Sequence, residues 1–212
     1  MPKERRLETL DLVGGSPTLD LANTLHSRVE PEHDYLRTYS DLVRWSVRAG
    51  TLHSDEIPRL EARASEAPDR AQRALERVID LREAVYRVFS RLAHHDTPAS
   101  DELETLIRAY TASIEHADFD TTPTGLVPRW DEADLARPIH ELAYATGALL
   151  MSPAIQRVKE CPSCSWLFLD ASRNQSRRWC DMATCGSQDK MRRYYRSRPG
   201  RAARANAPNP SP

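Results

Sequence analysis

Cysteine is missing from the first 160 residues of this 212-residue chain, and all four that it has fall between positions 161 and 185. That distribution excludes a disulfide framework spread through a secreted fold and favours metal ligands in a reducing compartment. Glycine is scarce, with 7 in all, which together with abundant Arg, Glu, Leu and Ala favours helices over sheets. No run approaches the roughly 20 apolar residues that a membrane-spanning helix requires. The opening MPKERRLETL lacks the apolar centre of a secretion signal, so a cytoplasmic protein with no membrane partner is expected. A P-loop, a Gly-rich dinucleotide turn, a nucleophile elbow and an internal repeat are also absent. Nothing pairs a nucleophile with a base, so no enzyme is expected.

Acidic residues stop at Asp189, and that absence is part of a wider asymmetry. From Arg157 onward there are 12 Lys and Arg against 4 Asp and Glu, which leaves 18 against 27 for residues 1–156 and a net charge of −1 overall. Four thiolates on one Zn²⁺ lower the basic half by about 2 charges. It still favours a polyanion such as nucleic acid.

The cysteines themselves carry the clearest signal. Cys161 and Cys164 are separated by two residues, Cys180 and Cys185 by four, and the pairs by fifteen. This spacing suits four thiolates converging tetrahedrally on one structural Zn²⁺ per chain. A closed Cys₄ set leaves no position for water or substrate, so the metal folds the module and does not catalyse.

The 3.6-residue rhythm of apolar positions predicts a mainly α protein: a multi-helix N-terminal domain over residues 1–155, then a zinc-knuckle module over 156–198 made of a short β-hairpin plus a helix. The longest periodic segment runs from about Asp69 to His94. Ser16, Ser40, Ser54 and Ser100 are candidate helix caps. A helix over Pro17–Ser27 would align Asp20, Asn23 and His26 along one polar stripe, either a solvent face or cap network or a small-molecule site. His94-His95-Asp96 reads as a helix C-terminus and not as a metal cluster, because adjacent helical residues point apart. Asp118–Asp131 is extended and can form a hairpin confined to an edge by Pro123 and Pro128. Residues 199–212, rich in Pro, Ala and Arg, are expected to be a disordered tail.

Within the module, Trp166-Leu167-Phe168-Leu169 predicts a strand packed over the metal. Arg173, Arg177 and Arg178 form a basic loop before Trp179. From Ser187 a helix is expected to place Met191, Tyr194 and Tyr195 against the knuckle and to expose Arg192, Arg193 and Arg196, with Asp189 one turn before Arg193. Exposed arginines on such a helix suit phosphate contact or groove entry, which makes DNA the expected partner. Two other readings stay open: an adaptor whose zinc module docks a protein, and an enzyme using Asp20, Asn23 and His26. A homodimer is also open.

Gly14-Gly15, Leu19-Asp20 and Asn23-Thr24-Leu25 near the start, with Cys161-Pro162-x-Cys164, Cys180, Cys185-Gly186, Lys190, Arg192, Tyr194 and Arg196 near the end, carry a resemblance over most of the chain. It resembles bacterial proteins that pair an ABATE domain with a CGNR-type zinc finger. That resemblance implies a stress-induced transcription regulator whose N-terminal domain senses a small molecule or partner and whose zinc finger binds DNA. Where the family carries Cys-Gly-Asn-Arg this chain reads Cys185-Gly186-Ser187-Gln188. The substitution removes a positive charge one turn before Arg192, while Gln188 can still hydrogen-bond a base edge, adenine best.

Overall fold

The computed structural model describes residues 6–26 and 34–196. The expected end of the first helix at Ser27 and the tail over residues 199–212 lie outside those residues.

A long helix is dictated by the apolar rhythm that follows Pro68, and α4 (Pro68–Ala93) fulfils it with Pro68 in its first turn. At 1.5 Å per residue it is about 39 Å long. Its inward face, Ala71, Leu75, Val78, Leu81, Val85, Val88 and Phe89, is buried in one continuous core. Around it pack α1 (Pro17–Ala22), α2 (Tyr39–Arg48), α3 (Ile57–Glu66), α5 (Ser100–Glu115) and α6 (Arg137–Leu150). The small residues of α6 let it approach α5 closely: a Cβ on Gly147 would lie 2.2 Å from the Tyr110 ring. Tyr110 stacks on Tyr144 at 6.0 Å between ring centroids. A hairpin, β1 (Asp118–Thr122) paired with β2 (Gly125–Arg129), connects α5 to α6. Pro128 sits in it without cost because a two-stranded ribbon has only edges.

Helix starts differ from the serine-based expectations. Thr38, not Ser40, caps α2: its hydroxyl accepts from the Asp41 N–H at 3.1 Å while the Asp41 carboxylate accepts from the Thr38 N–H at 2.9 Å. The carboxylate three residues on selects Thr38, and Ser40 instead donates to Glu61. Ser54 opens a single tight turn, Ser54–Glu56, ahead of α3. Ser16 stands at the N-cap of α1 ahead of Pro17 as expected, though without a side-chain capping bond, and Ser100 is the first residue inside α5.

The core does not end with α6. A turn, Pro153–Arg157, leads to β3 (Val158–Glu160), which pairs antiparallel with β4 (Leu167–Leu169). Successive strand residues face opposite sides: Leu167 is buried in the helical core, while Phe168 is buried among the cysteines. The second hairpin therefore belongs to two clusters at once, and it docks the metal module directly on the helices.

Candidate metal centre and basic surface

Each cysteine pair is delivered by a turn with its own hydrogen-bond logic. At the first, the Cys161 N–H donates to the Trp166 carbonyl at 2.8 Å and the Ser165 N–H to the Cys161 carbonyl at 2.8 Å. Ser165 adopts a left-handed φ of 59° to close the knuckle. At the second, the Asp181 carboxylate caps the helical turn Met182–Gly186 by accepting from the Thr184 N–H at 2.9 Å and the Thr184 hydroxyl at 2.8 Å. Asp181 and Thr184 are functional residues that composition hid, although their i, i+3 spacing is a legible cap signal.

The four sulfurs all lie within 4.8 Å of one another, the Cys164–Cys180 and Cys180–Cys185 pairs being 3.5 and 3.7 Å apart. A tetrahedron with metal–sulfur bonds of about 2.3 Å has sulfur–sulfur edges of about 3.8 Å, so the cage fits one Zn²⁺. Cys161, Cys180 and Cys185 are buried and Phe168 closes the inner side. Crowding shows in the thiols: hydrogen bonds from Cys164 and Cys180 hold Cys161 low, while hydrogen bonding among the cysteines and burial push Cys164 and Cys180 up. A dication at the centre removes that conflict by letting all four ionise. All four positions of the tetrahedron are filled by protein, so the metal is structural. Among the described residues no other His, Cys, Asp and Glu side chains group this way. His94 Nδ1 lies 2.8 Å from the carbonyl of Ser90, one turn back.

Between the pairs runs the basic loop, and its anchor is an ion pair between a buried carboxylate and a half-buried ammonium. Asp170 is wholly buried and takes the Lys159 ammonium at 2.6 Å, together with the N–H groups of Ser172 at 2.9 Å and Arg177 at 3.0 Å. Burial alone raises a carboxyl, but the ammonium and the Ser172 hydrogen bonds outweigh it and hold Asp170 below the usual carboxylate range. Lys159 also donates to the carbonyls of Gln175 and Arg177.

That arrangement divides the arginines of the loop. Arg173 and Arg178 are exposed, Arg178 lying 5.0 Å over the Trp179 ring. Arg177 turns inward: its guanidinium donates to the carbonyls of Trp179 and Cys180 and lies 4.6 Å over the Phe168 ring. Arg177, read from the sequence as a basic contact, is half-buried and braces the metal site, because the carbonyls of Trp179 and Cys180 need donors and a planar fork supplies two.

The helix α7 (Ser187–Arg196) forms as expected, and Arg193 pairs with Asp189 at 2.8 Å. Gln188, Lys190, Arg192, Arg193 and Arg196 are all exposed. The expected anchoring of its apolar side on the knuckle does not occur. Met191, Tyr194 and Tyr195 are 57%, 50% and 67% exposed, and α7 contains no buried residue. It projects from the Met182–Gly186 turn, so aromatic and cationic arcs both face outward.

Asp20, Asn23 and His26 are not a solvent stripe. Helix α1 ends at Ala22 and is buried throughout its last five residues. Asp20 accepts the Gly14 N–H at 2.7 Å, and the Gly14 carbonyl in turn accepts the Leu169 N–H at 2.8 Å. A side chain at 14 would strike Asp20, its Cβ lying 2.7 Å from the Asp20 nitrogen, so this approach requires glycine. Asn23 bonds both backbone groups of Leu167, and His26 meets the Trp166 ring edge-on at 5.9 Å. Asn23 and His26 meet the metal module directly, and Asp20 reaches it through Gly14. The partners of Asn23 and His26 lie 144 and 140 positions away, which is why the sequence conceals the contact.

Comparison with known families gives two matches. Residues 157–198 match the CGNR zinc finger, and residues 15–154 match ABATE, a family described as "Putative stress-induced transcription regulator". No curated protein matches the chain.

Proposed function

This chain belongs to the ABATE family and carries a CGNR zinc finger, and from that membership we propose that it is a transcriptional regulator whose zinc module binds DNA. The observation that carries the reading is the outward set Arg173, Arg178, Gln188, Lys190, Arg192 and Arg196, borne on a module built around a four-cysteine cage and the Lys159–Asp170 pair. Only Asp189 opposes the charge of α7, and it is already engaged with Arg193. Arginines on a short projecting helix contact phosphates from a groove, and the glutamine at 188 offers an amide to a base edge. The acidic helical body, −9 over residues 1–156, turns polyanions away from itself and toward the module.

In this reading the helical domain is the sensing part, acting in the cytoplasm, and the protein responds to stress. An open groove of about 420 Å³ beside Arg63, Arg70, Asp131 and Asp134 suits a small polar ligand. No helix among the described residues is long and apolar enough to cross a membrane. Fluorescence polarisation with a pool of genomic duplex fragments tests the proposal: binding that weakens steeply with added salt supports it, and no binding at low salt contradicts it.

One observation favours a second reading, an adaptor that docks a protein. Met182, Met191 and Tyr195 leave apolar side chains exposed on the module. A stoichiometric protein partner that competes for Arg192 and Arg196 would establish that role.

A further inference from the structure

β4 is the outer strand of its hairpin, so one row of its backbone groups has no strand to pair with. The helical domain supplies the missing partners. Asn23, 1% exposed, accepts the Leu167 N–H on its Oδ1 at 2.9 Å and donates from Nδ2 to the Leu167 carbonyl at 2.9 Å. Two residues further along the same edge, the Leu169 N–H goes to the Gly14 carbonyl, which Asp20 holds in place through the Gly14 N–H. The side-chain amide of Asn23 thus acts as a one-residue strand, and only an amide offers a donor and an acceptor at that spacing.

The strand so held is tied to the cysteine knuckle beside its first residue and at its middle one. Trp166, next to Leu167, gives its carbonyl to the Cys161 N–H, and Phe168, between the two clamped residues, packs on Cys161, Cys180 and Cys185. Asn23 is itself fixed by its place at the end of α1: its N–H bonds the carbonyl of Leu19, and the neighbouring Thr24 receives Arg82 from α4 at 3.3 Å. A continuous chain of bonded groups runs from the centre of the helical core to the cysteine knuckle.

We propose that Asn23 is a positioning residue of the zinc centre, supplied by the helical domain, and that it makes zinc retention and the order of α1 depend on each other. The dependence is reciprocal, as any coupling between two sites must be. A change in the helical domain that shifts α1 loosens the module, and loss of the metal frees the end of α1. Residues that orient a metal site from outside its ligand set commonly change metal affinity by about 10- to 100-fold when removed.

The test uses the full-length zinc-loaded protein and a chromogenic chelator. Asn23→Ala is expected to release zinc at least about tenfold faster than wild type. Leu60→Ala, which hollows the core under α3 away from β4, is expected to lower overall stability and leave the release rate unchanged. Equal release by wild type and Asn23→Ala, or equal acceleration by Leu60→Ala, overturns the proposal. Should Asn23→Ala not fold, hydrogen exchange on the wild type decides. Stripping the zinc is expected to speed exchange at Leu21–Leu25 and to leave α3 unaffected, and unchanged exchange at Leu21–Leu25 overturns the proposal.

Discussion

The Lys159 ammonium lies 2.6 Å from the wholly buried carboxylate of Asp170, and the basic loop is wound around that pair. Removing one partner strands the other charge, a loss of about 3–5 kcal/mol for a fully buried pair. Lys159 is partly exposed, with about a third of its side chain in solvent, which screens the effect. Lys159→Met is therefore expected to cost about 2 kcal/mol in urea unfolding of the zinc-loaded protein. A loss below about 0.5 kcal/mol, the scale of an ordinary surface pair, would show that the loop does not depend on it.

Asp20 makes stability depend on pH in a direction unusual for a carboxylate. Burial pushes its pKa from 3.8 up to about 6, against the lowering effect of the Gly14 N–H. The folded protein thus keeps this proton through a range where the unfolded chain has lost it. The stabilisation is complete below about pH 4 and disappears as pH rises through about 6. Asp20→Asn keeps the acceptor for Gly14 and removes the titration. Between about pH 5 and pH 7.5 the wild type is expected to lose about 1 kcal/mol relative to the variant. Parallel stability curves for the two proteins would contradict the assignment.

Cys180 is shared by two close sulfur contacts of the cage, 3.5 Å to Cys164 and 3.7 Å to Cys185. Cys180→Ser is expected to reduce metal content from one zinc per chain to below about 0.2 and to unfold the module, because so small a unit has little core without its metal. Most of the far-UV helical signal should survive, since α2 to α6 share a core that lacks Cys180. Metal analysis finding one zinc per chain in the variant would refute a four-cysteine site.

What the sequence makes legible follows the range of the forces involved. The rhythm of α4, the spacing of the cysteine pairs and the short aromatic-apolar run Trp166-Leu167-Phe168-Leu169 are local patterns, and each appears in the structure where expected. The Asp189–Arg193 pair, one turn apart, was equally readable. Asn23 looked like a solvent-facing helical residue because its partner is 144 positions away and nothing nearby announces it. Arg177 looked like its neighbours Arg173 and Arg178, since only the folded loop brings it beneath the carbonyls of Trp179 and Cys180. The apolar arc of α7 resembled a buried one because periodicity reports that a face exists, not what covers it. Thr38 prevailed over Ser40 through Asp41, a choice that the three-residue spacing could have settled.

The central claim, that the outward arginines of the zinc module bind DNA, is tested most directly by the salt dependence of binding to a duplex in wild type and in the variants Arg192→Ala and Arg196→Ala. Each phosphate contact contributes about −0.9 to the slope of log K against log salt. Each variant is expected to bind more weakly and to make the slope shallower by about 1, with one zinc per chain retained. Slopes identical to wild type in both variants would contradict the account.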